Sequence, residues 1–204
     1  MRFIINLPMN NFKNYLLKNA QINEQEFDLL SKKLKTATLE KGSFLLKTGE
    51  ICSHSFFVEQ GLLRSYTIDK AGKEHIVQFA SENWIIGDRS SIYFNEPSDF
   101  YIDAVETTTF IYLDQEFINQ ADDLSKNFRL FNDKALHNHI RHLQKRINLL
   151  LSATAEQRYM NFIQLYPDLT LRVPQWMIAS YLGIAPESLS RVRKELAARH
   201  FKPL

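Results

Sequence analysis

The segment from Val173 to Leu196 leaves the chain few ways to fold. Pro174 suits the first turn of a helix, where its missing N–H is not needed. Ile178, Ala179 and Leu182 then repeat at helical spacing, and Gly183 supplies a residue free to take positive φ just past a helix end. Pro186 restarts a helix at its first turn, and Glu187 favours the N-terminal end of its dipole. Leu189, Val192 and Leu196, at spacings of three and four, form the side this second helix buries. Glu187, Ser188, Ser190, Arg191, Arg193 and Lys194 lie on its other side. A small residue at Ala179, Gly183 four on and Leu189 six further make a helix-turn-helix, in which Ala179 permits a close crossing and Leu189 fills the angle. A helical hairpin with a solvated charged face is the plainer alternative.

The outward residues carry the chemistry of base reading. An Arg fork donates to N7 and O6 of guanine, and a Glu accepts from N4 of cytosine. Glu187 and Arg191 are four apart and share a helix face, where an intrahelical ion pair is the ordinary expectation and is compatible with base reading. From Leu151 onward, seven Lys or Arg (Arg158, Arg172, Arg191, Arg193, Lys194, Arg199, Lys202) stand against four acids (Glu156, Asp168, Glu187, Glu195). The difference, +3, exceeds the +2 of the whole chain and is a mild footprint for phosphate.

Ahead of this segment the texture changes twice. Asn23 with Glu26 has capping-box spacing, followed by Phe27, Leu30 and Leu34, so the first forty or so residues read as helical. From Leu39 to about Asp114, short runs rich in Phe, Val, Ile, Tyr and Thr recur between Gly and polar turns, the signal of a small β-sandwich or barrel. From Asp122 to Leu151 a long helix is expected, with Phe128 and Phe131 at its start. Its residues Leu136, Ile140, Leu143, Ile147 and Leu150 form a heptad seam suited to a parallel dimer, with packing on the chain's own sheet domain the plainer alternative. Thr154 with Gln157 opens another helix to Tyr166, and Asp168 to Val173 is a short connection with the option of a strand.

Other chemistries find little support. The single Cys52 excludes an internal disulfide and an all-cysteine cluster, and reads as a small apolar residue. The apolar run at the N-terminus is too short for a signal peptide, and no stretch reaches the length of a membrane span. A cytoplasmic protein without membrane association is the expectation. Of the six histidines, His75 reads as a sheet-surface residue, with haem ligation the sharper alternative. The one His-x-His pair, His137 and His139, falls on the long helix and not on a barrel strand as a cupin metal site requires. No nucleophile stands with a base in an identifiable arrangement, so no enzyme, no catalytic residue, no metal site and no cofactor is expected.

A β-rich domain, a seam helix and a helix-turn-helix, with Gly42, Gly49, Gly61, Gly72 and Gly87 as framework, resemble the Crp/Fnr family of bacterial transcription regulators. The resemblance covers about residues 20 to 200. It implies an α+β fold. A cyclic-nucleotide-binding-like β-roll (a double-stranded, jelly-roll-like β-helix) spans residues 1–121 as sensor. A dimerisation helix spans 122–151, and a helix-turn-helix domain without an evident wing spans 152–204. Glu187, Ser190 and Arg191 resemble the Fnr-type reading head for TTGA-like half-sites, flanked by Ser188, Arg193 and Lys194. The implied partners are double-stranded DNA, a second copy of the chain, and RNA polymerase as a further protein partner.

The resemblance also marks an effector pocket at Gly87, Asp88, Arg89, Ser98 and Asp99. Members that bind cyclic AMP carry Gly-Glu, then an Arg followed by Ser or Thr about ten residues later. Here the first pair is Gly87-Asp88 and the second is Ser98-Asp99. Losing the charge-assisted phosphate contact and adding a carboxylate imply weak or no cyclic AMP binding, with Arg89, close in sequence, the alternative phosphate partner and an exposed strand-end Arg its plainer reading. The effector, if the roll takes one, is left open. A second reading makes the chain a ligand-binding module whose C-terminal helices hold a protein. The chain also stops at Phe201-Lys-Pro-Leu204, too early for the hairpin wing that usually follows the recognition helix, and lower DNA affinity is expected from its lack.

Overall fold

The computed structural model describes residues 2–4 and 8–200. They form two compact units, one of Met1–Thr67 with Val77–His137 and the other of Ile68–Ile76 with Asn138–Leu204.

In the first unit, β1 (Arg2–Ile4), α1 (Asn10–Asn19) and α2 (Glu24–Ser31) precede the roll. The capping box forms: the Asn23 side chain accepts from Glu26 N–H at 2.9 Å, and the Glu26 carboxylate accepts from Asn23 N–H at 2.7 Å. The strands are β2 (Lys35–Leu39), β3 (Phe44–Leu46), β4 (Ser55–Gln60), β5 (Leu63–Ile68), β6 (Glu74–Ala80) and β7 (Ile85–Ile86). The short helix α3 (Arg89–Phe94) follows, then β8 (Tyr101–Ala104) and β9 (Thr108–Leu113). One sheet has the order β1-β2-β9-β4-β7 and the other β3-β8-β5-β6. The helical expectation for the first forty residues fails at both ends, where β1 and β2 lie. Thr36 and Thr38 give β2 the branched side chains a pleated strand favours, and it pairs with β9 from Lys35↔Tyr112 to Leu39↔Thr108.

Alternation along the strands divides two cores. Phe56, Val58, Leu63, Ile102, Ala104 and Phe110 point between the sheets with Leu45, Leu46 and Cys52. Phe57 and Ile111 point to the other side and pack under α1, α2 and α4 (Gln115–Leu124) through Phe12, Leu16, Phe27, Phe117 and Ala121. Gly61 joins β4 to β5 at φ +102°, and a Cβ there would lie 2.6 Å from the Thr107 carbonyl oxygen, so only glycine fits. On the face of the second sheet away from that core, Arg64 and Asp103 stand opposite each other and form a two-point ion pair of 2.8 and 2.9 Å, both buried.

The long helix α5 (Lys126–Ser152) starts four residues later than the pattern suggests. Asp122 to Leu124 close α4 instead. Ser125 is extended, at φ −136° and ψ 115°, and its hydroxyl meets the Phe128 N–H at 3.4 Å, as an N-terminal serine does. The helix carries the chain into the second unit, where α6 (Ala155–Leu165), α7 (Leu169–Arg172), α8 (Gln175–Leu182) and α9 (Pro186–His200) follow. Thr154 and Gln157 form the second capping box, at 2.9 and 3.2 Å. The optional strand after Asp168 is the helical turn α7: Leu169 is fully buried, and Arg172 reaches back one turn to Asp168 at 2.7 Å. Pro174 sits one place earlier than expected, as the N-cap of α8 with ψ 150°.

Candidate nucleic-acid interface and effector site

Helices α8 and α9 form the turn the sequence points to. Gly183 takes φ +66°, its N–H reaches Ser180 O at 3.1 Å, and Ile184 N–H reaches Ala179 O at 3.1 Å. These are the two bonds of a Schellman closure. A helix leaves its last four carbonyls open. In α8 the first two, on Ala179 and Ser180, are taken by that closure. The Tyr181 carbonyl accepts from Arg146 Nη2 at 3.0 Å, and the Leu182 carbonyl accepts from Arg158 Nη1 at 3.0 Å. Two guanidinium groups therefore cover the electronegative end of α8, where cations are favoured. Ile178, Ala179 and Leu182 are buried, and Leu189 is fully buried, which is worth about 2 kcal/mol for a leucine.

That packing sets the exposed side of α9. Glu187, Ser190, Arg191 and Lys194, at steps of three and four, share an outward stripe, with Ser188 exposed beside it. Arg193 lies off the stripe and is half-buried. The expected Glu187–Arg191 ion pair is not formed, and none of these six side chains bonds another described residue. After Leu151, the other described arginines are occupied. Arg158 holds the carbonyls of Leu150, Ala153 and Leu182, Arg172 holds Asp168, and Arg199 holds Glu156 at 2.7 Å. Among the described residues after Leu151, the unengaged positive charge is thus on α9. Residues 201–204, where the missing wing was inferred, lie outside the described residues.

The seam on α5 is uncovered. Leu136, Ile140, Leu143, Ile147 and Leu150 are 38 to 57% exposed, far above core values. His137 and His139 lie on this helix, and His137 faces Asp133 at 3.7 Å.

At the residues expected to line an effector pocket, Gly87 is held by packing, since a Cβ would lie 3.2 Å from the His54 carbonyl oxygen. Asp88 is buried and caps α3: its Oδ1 accepts from Ser90 N–H at 3.0 Å and Ser91 N–H at 3.4 Å. The Ser91 hydroxyl in turn accepts from Cys52 N–H at 2.7 Å. Burial pushes the Cys52 thiol up, away from the reactive thiolate. Arg89 is exposed and stacks on Tyr93, 4.8 Å from the ring centroid. Ser98 is buried, and its hydroxyl accepts from Phe100 N–H at 3.1 Å while its backbone bonds Glu50 and Gly49. Asp99 is exposed. The site therefore offers two carboxylates, with the first amides of α3 already engaged. His75 pairs with Asp69 at 2.7 Å on the surface, which lowers the Asp69 carboxyl. Among the described residues, no cluster of three His, Cys, Asp or Glu side chains suits a metal, and no helix is long and apolar enough to cross a membrane.

Sequence reasoning missed Arg146, Arg158 and the Arg64–Asp103 pair. Each joins positions far apart in the chain, and no local spacing announces them.

Comparison with known proteins agrees with this architecture. Residues 36–122 match the cyclic nucleotide-binding domain family. The chain is 25% identical to the anaerobic regulatory protein of Aggregatibacter actinomycetemcomitans, over 84% of this chain and 70% of that one. It is 27% identical to the transcriptional activator protein FnrA of Stutzerimonas stutzeri, over 84% and 74%. Its fold is that of FixK2 from Bradyrhizobium japonicum (TM-score 0.67, 21% identity, 84% of this chain and 89% of that one). It is also that of a CooA variant from Carboxydothermus hydrogenoformans (TM-score 0.68, 20% identity, 97% and 87%). By their names the first two are a regulatory protein and a transcriptional activator, and in its order of roll, long helix and C-terminal helices this chain is similar to regulators of that kind.

Proposed function

We propose that the chain regulates transcription by binding specific DNA sequences as a cytoplasmic homodimer, and that cyclic AMP is not its effector. The observation that carries DNA binding is the stripe of Glu187, Ser190, Arg191 and Lys194, exposed and unengaged on a helix whose placement is locked by the α8 closure. Glu187, Ser190 and Arg191 read base edges, and Ser188, Arg193 and Lys194 contact phosphates, so affinity falls steeply with salt. The α5 seam supports the dimer, because five large apolar residues at heptad spacing stay wet in one copy. Two copies then present their α9 helices to successive major grooves.

The argument on the effector rests on charge. Asp88 engages the α3 amides itself, Ser98 supplies no cation, and Asp99 adds a carboxylate. The pocket's one cation, Arg89, lies exposed and stacks on Tyr93, so a cyclic phosphate there meets two carboxylates and no cation held in place for it. Any effector of this roll is a small molecule of other chemistry.

Selection of bound duplexes from random DNA at moderate salt, with and without cyclic AMP, tests both parts. A palindrome with TTGA-like halves, unchanged by cyclic AMP, is expected. Arg191→Ala then loses about 1–3 kcal/mol and relaxes one base position. If no sequence emerges, the C-terminal helices hold a protein and not DNA. If cyclic AMP sharpens selection, the reading of Asp88 and Ser98 is wrong.

A further inference from the structure

Strand β6 is the edge of its sheet, and an edge strand presents unpaired N–H and C=O groups. Its first residues belong to the same compact unit as α8. There the outward backbone groups are met by two side chains and not by another strand. Ser180, on α8, donates its hydroxyl to Glu74 O at 2.7 Å and accepts from Ile76 N–H at 3.0 Å. Arg146, on α5, donates to Ile76 O at 3.1 Å and to Tyr181 O at 3.0 Å through one nitrogen. Its guanidinium lies 3.6 Å from the Tyr181 ring centroid, in cation–π contact.

Ser180 thus acts as a one-residue strand neighbour, using one hydroxyl as both donor and acceptor. The match depends on register, because adjacent residues of a strand turn their backbone groups to opposite edges. A shift of one residue along β6 would break the contacts with Glu74 and Ile76 together. Such contacts are made or unmade as a set, which suits a two-state element.

We propose that Ser180 and Arg146 are positioning residues of the reading head: they index α8 on the edge of β6, so that the β5–β6 hairpin sets the state of the helix-turn-helix. The consequence for DNA rests on the reading of α9 given above. The closure at Gly183 and the buried Leu189 tie α9 to α8, so fixing α8 fixes α9. The hairpin turn is where the chain first enters this unit and leaves it, before α5 carries it in again.

The test compares Ser180→Ala, Ser180→Thr and Arg146→Met in the full chain, by amide hydrogen exchange and by affinity for the selected duplex. Ser180→Ala is expected to raise exchange at Ile76 by about fivefold to tenfold, the protection a net hydrogen bond carries. Ser180→Thr, which keeps the hydroxyl, restores it. Duplex affinity shifts by at least about twofold in Ser180→Ala and in Arg146→Met, in the same direction, and returns in Ser180→Thr. Unchanged exchange at Ile76 overturns the latch. Raised exchange with unchanged affinity overturns its role in positioning. If Arg146→Met does not fold, the two Ser180 variants decide alone. If the wild-type chain selects no duplex, the DNA reading has failed by its own test. Exchange at Ile184, inside the α8 closure, then decides: it must rise with Ile76 in Ser180→Ala, and equal protection overturns the proposal.

Discussion

Arg158 donates to the carbonyl of Leu182, 24 residues away, at 3.0 Å, while its other nitrogens hold Ala153 O at 3.1 Å and Leu150 O at 2.9 Å. One side chain therefore closes the ends of α5 and α8 together. Arg158→Met leaves three carbonyls without their charged donor. A loss of about 2–3 kcal/mol in the C-terminal unit is expected, since bonds to charged groups are worth about 1.5–3 kcal/mol and part of the gap is refilled by water. The two tryptophans separate the readouts, because Trp84 belongs to the first unit and Trp176 to the second. In a Trp84→Phe background, the urea midpoint from Trp176 fluorescence should fall. An unmoved midpoint would show that solvent replaces Arg158 without loss.

The ion pair of Arg64 and Asp103 is buried to within 8 and 9% side-chain exposure, with Arg64 also stacked 4.2 Å from the Tyr66 ring centroid. Breaking such a pair leaves an uncompensated charge, whereas replacing both members with apolar residues does not. Asp103→Ala should cost about 3–5 kcal/mol, and Arg64→Met with Asp103→Leu far less. Unfolding followed through Trp84 across the double-mutant cycle measures the coupling. Additive effects would mean the two charges are independently solvated.

Local patterns were legible in the sequence and long-range pairs were not. Asn23–Glu26, Thr154–Gln157, Gly183 and the stripe on α9 are set by neighbours within one or two helical turns, so spacing alone located them. The branched Thr residues of β2 were overlooked because a strand that short carries no strong period, and its partner β9 is far along the chain. Asp168 to Val173 is equally ambiguous by composition, and the turn is decided by the burial of Leu169. Arg146, Arg158 and Arg64 looked like any surface arginine, because their partners are backbone or carboxylate groups that only the fold brings near. The proposed effector residues rest on resemblance, which did not foresee that Asp88 spends its carboxylate on α3.

Glu59 gives the first unit a pH dependence of definite sign. It is buried in β4 and caps α1, accepting from Asn11 N–H at 2.6 Å and Phe12 N–H at 3.0 Å. Burial pushes its carboxyl above the ordinary value, and those two bonds hold it back only in part. In the folded chain the proton is therefore held to higher pH than in the unfolded one. The resulting stability is complete below the ordinary carboxylate range and declines as pH rises through the raised value. Urea midpoints between about pH 4 and pH 7 should show this decline in the wild type and lose it in Glu59→Gln. Parallel profiles would exclude Glu59 as its source.

The α5 seam separates oligomeric state from the stability of a single copy. Ile147 is 57% exposed in one chain, so Ile147→Glu removes little packing there. In a parallel pair it sets two like charges against each other inside an apolar seam, which disfavours association. Sedimentation equilibrium should find the wild type dimeric and Ile147→Glu monomeric at the same concentration, with thermal unfolding of the monomer little changed. Lys145→Glu, on the opposite face of the helix, should stay dimeric. Loss of the pair removes the second half-site contact, so affinity for a palindromic duplex should fall by about 10²-fold or more, while binding to a single half-site is retained. A monomeric wild type that still binds the palindrome tightly would detach the seam from DNA recognition and leave its apolar face to another protein.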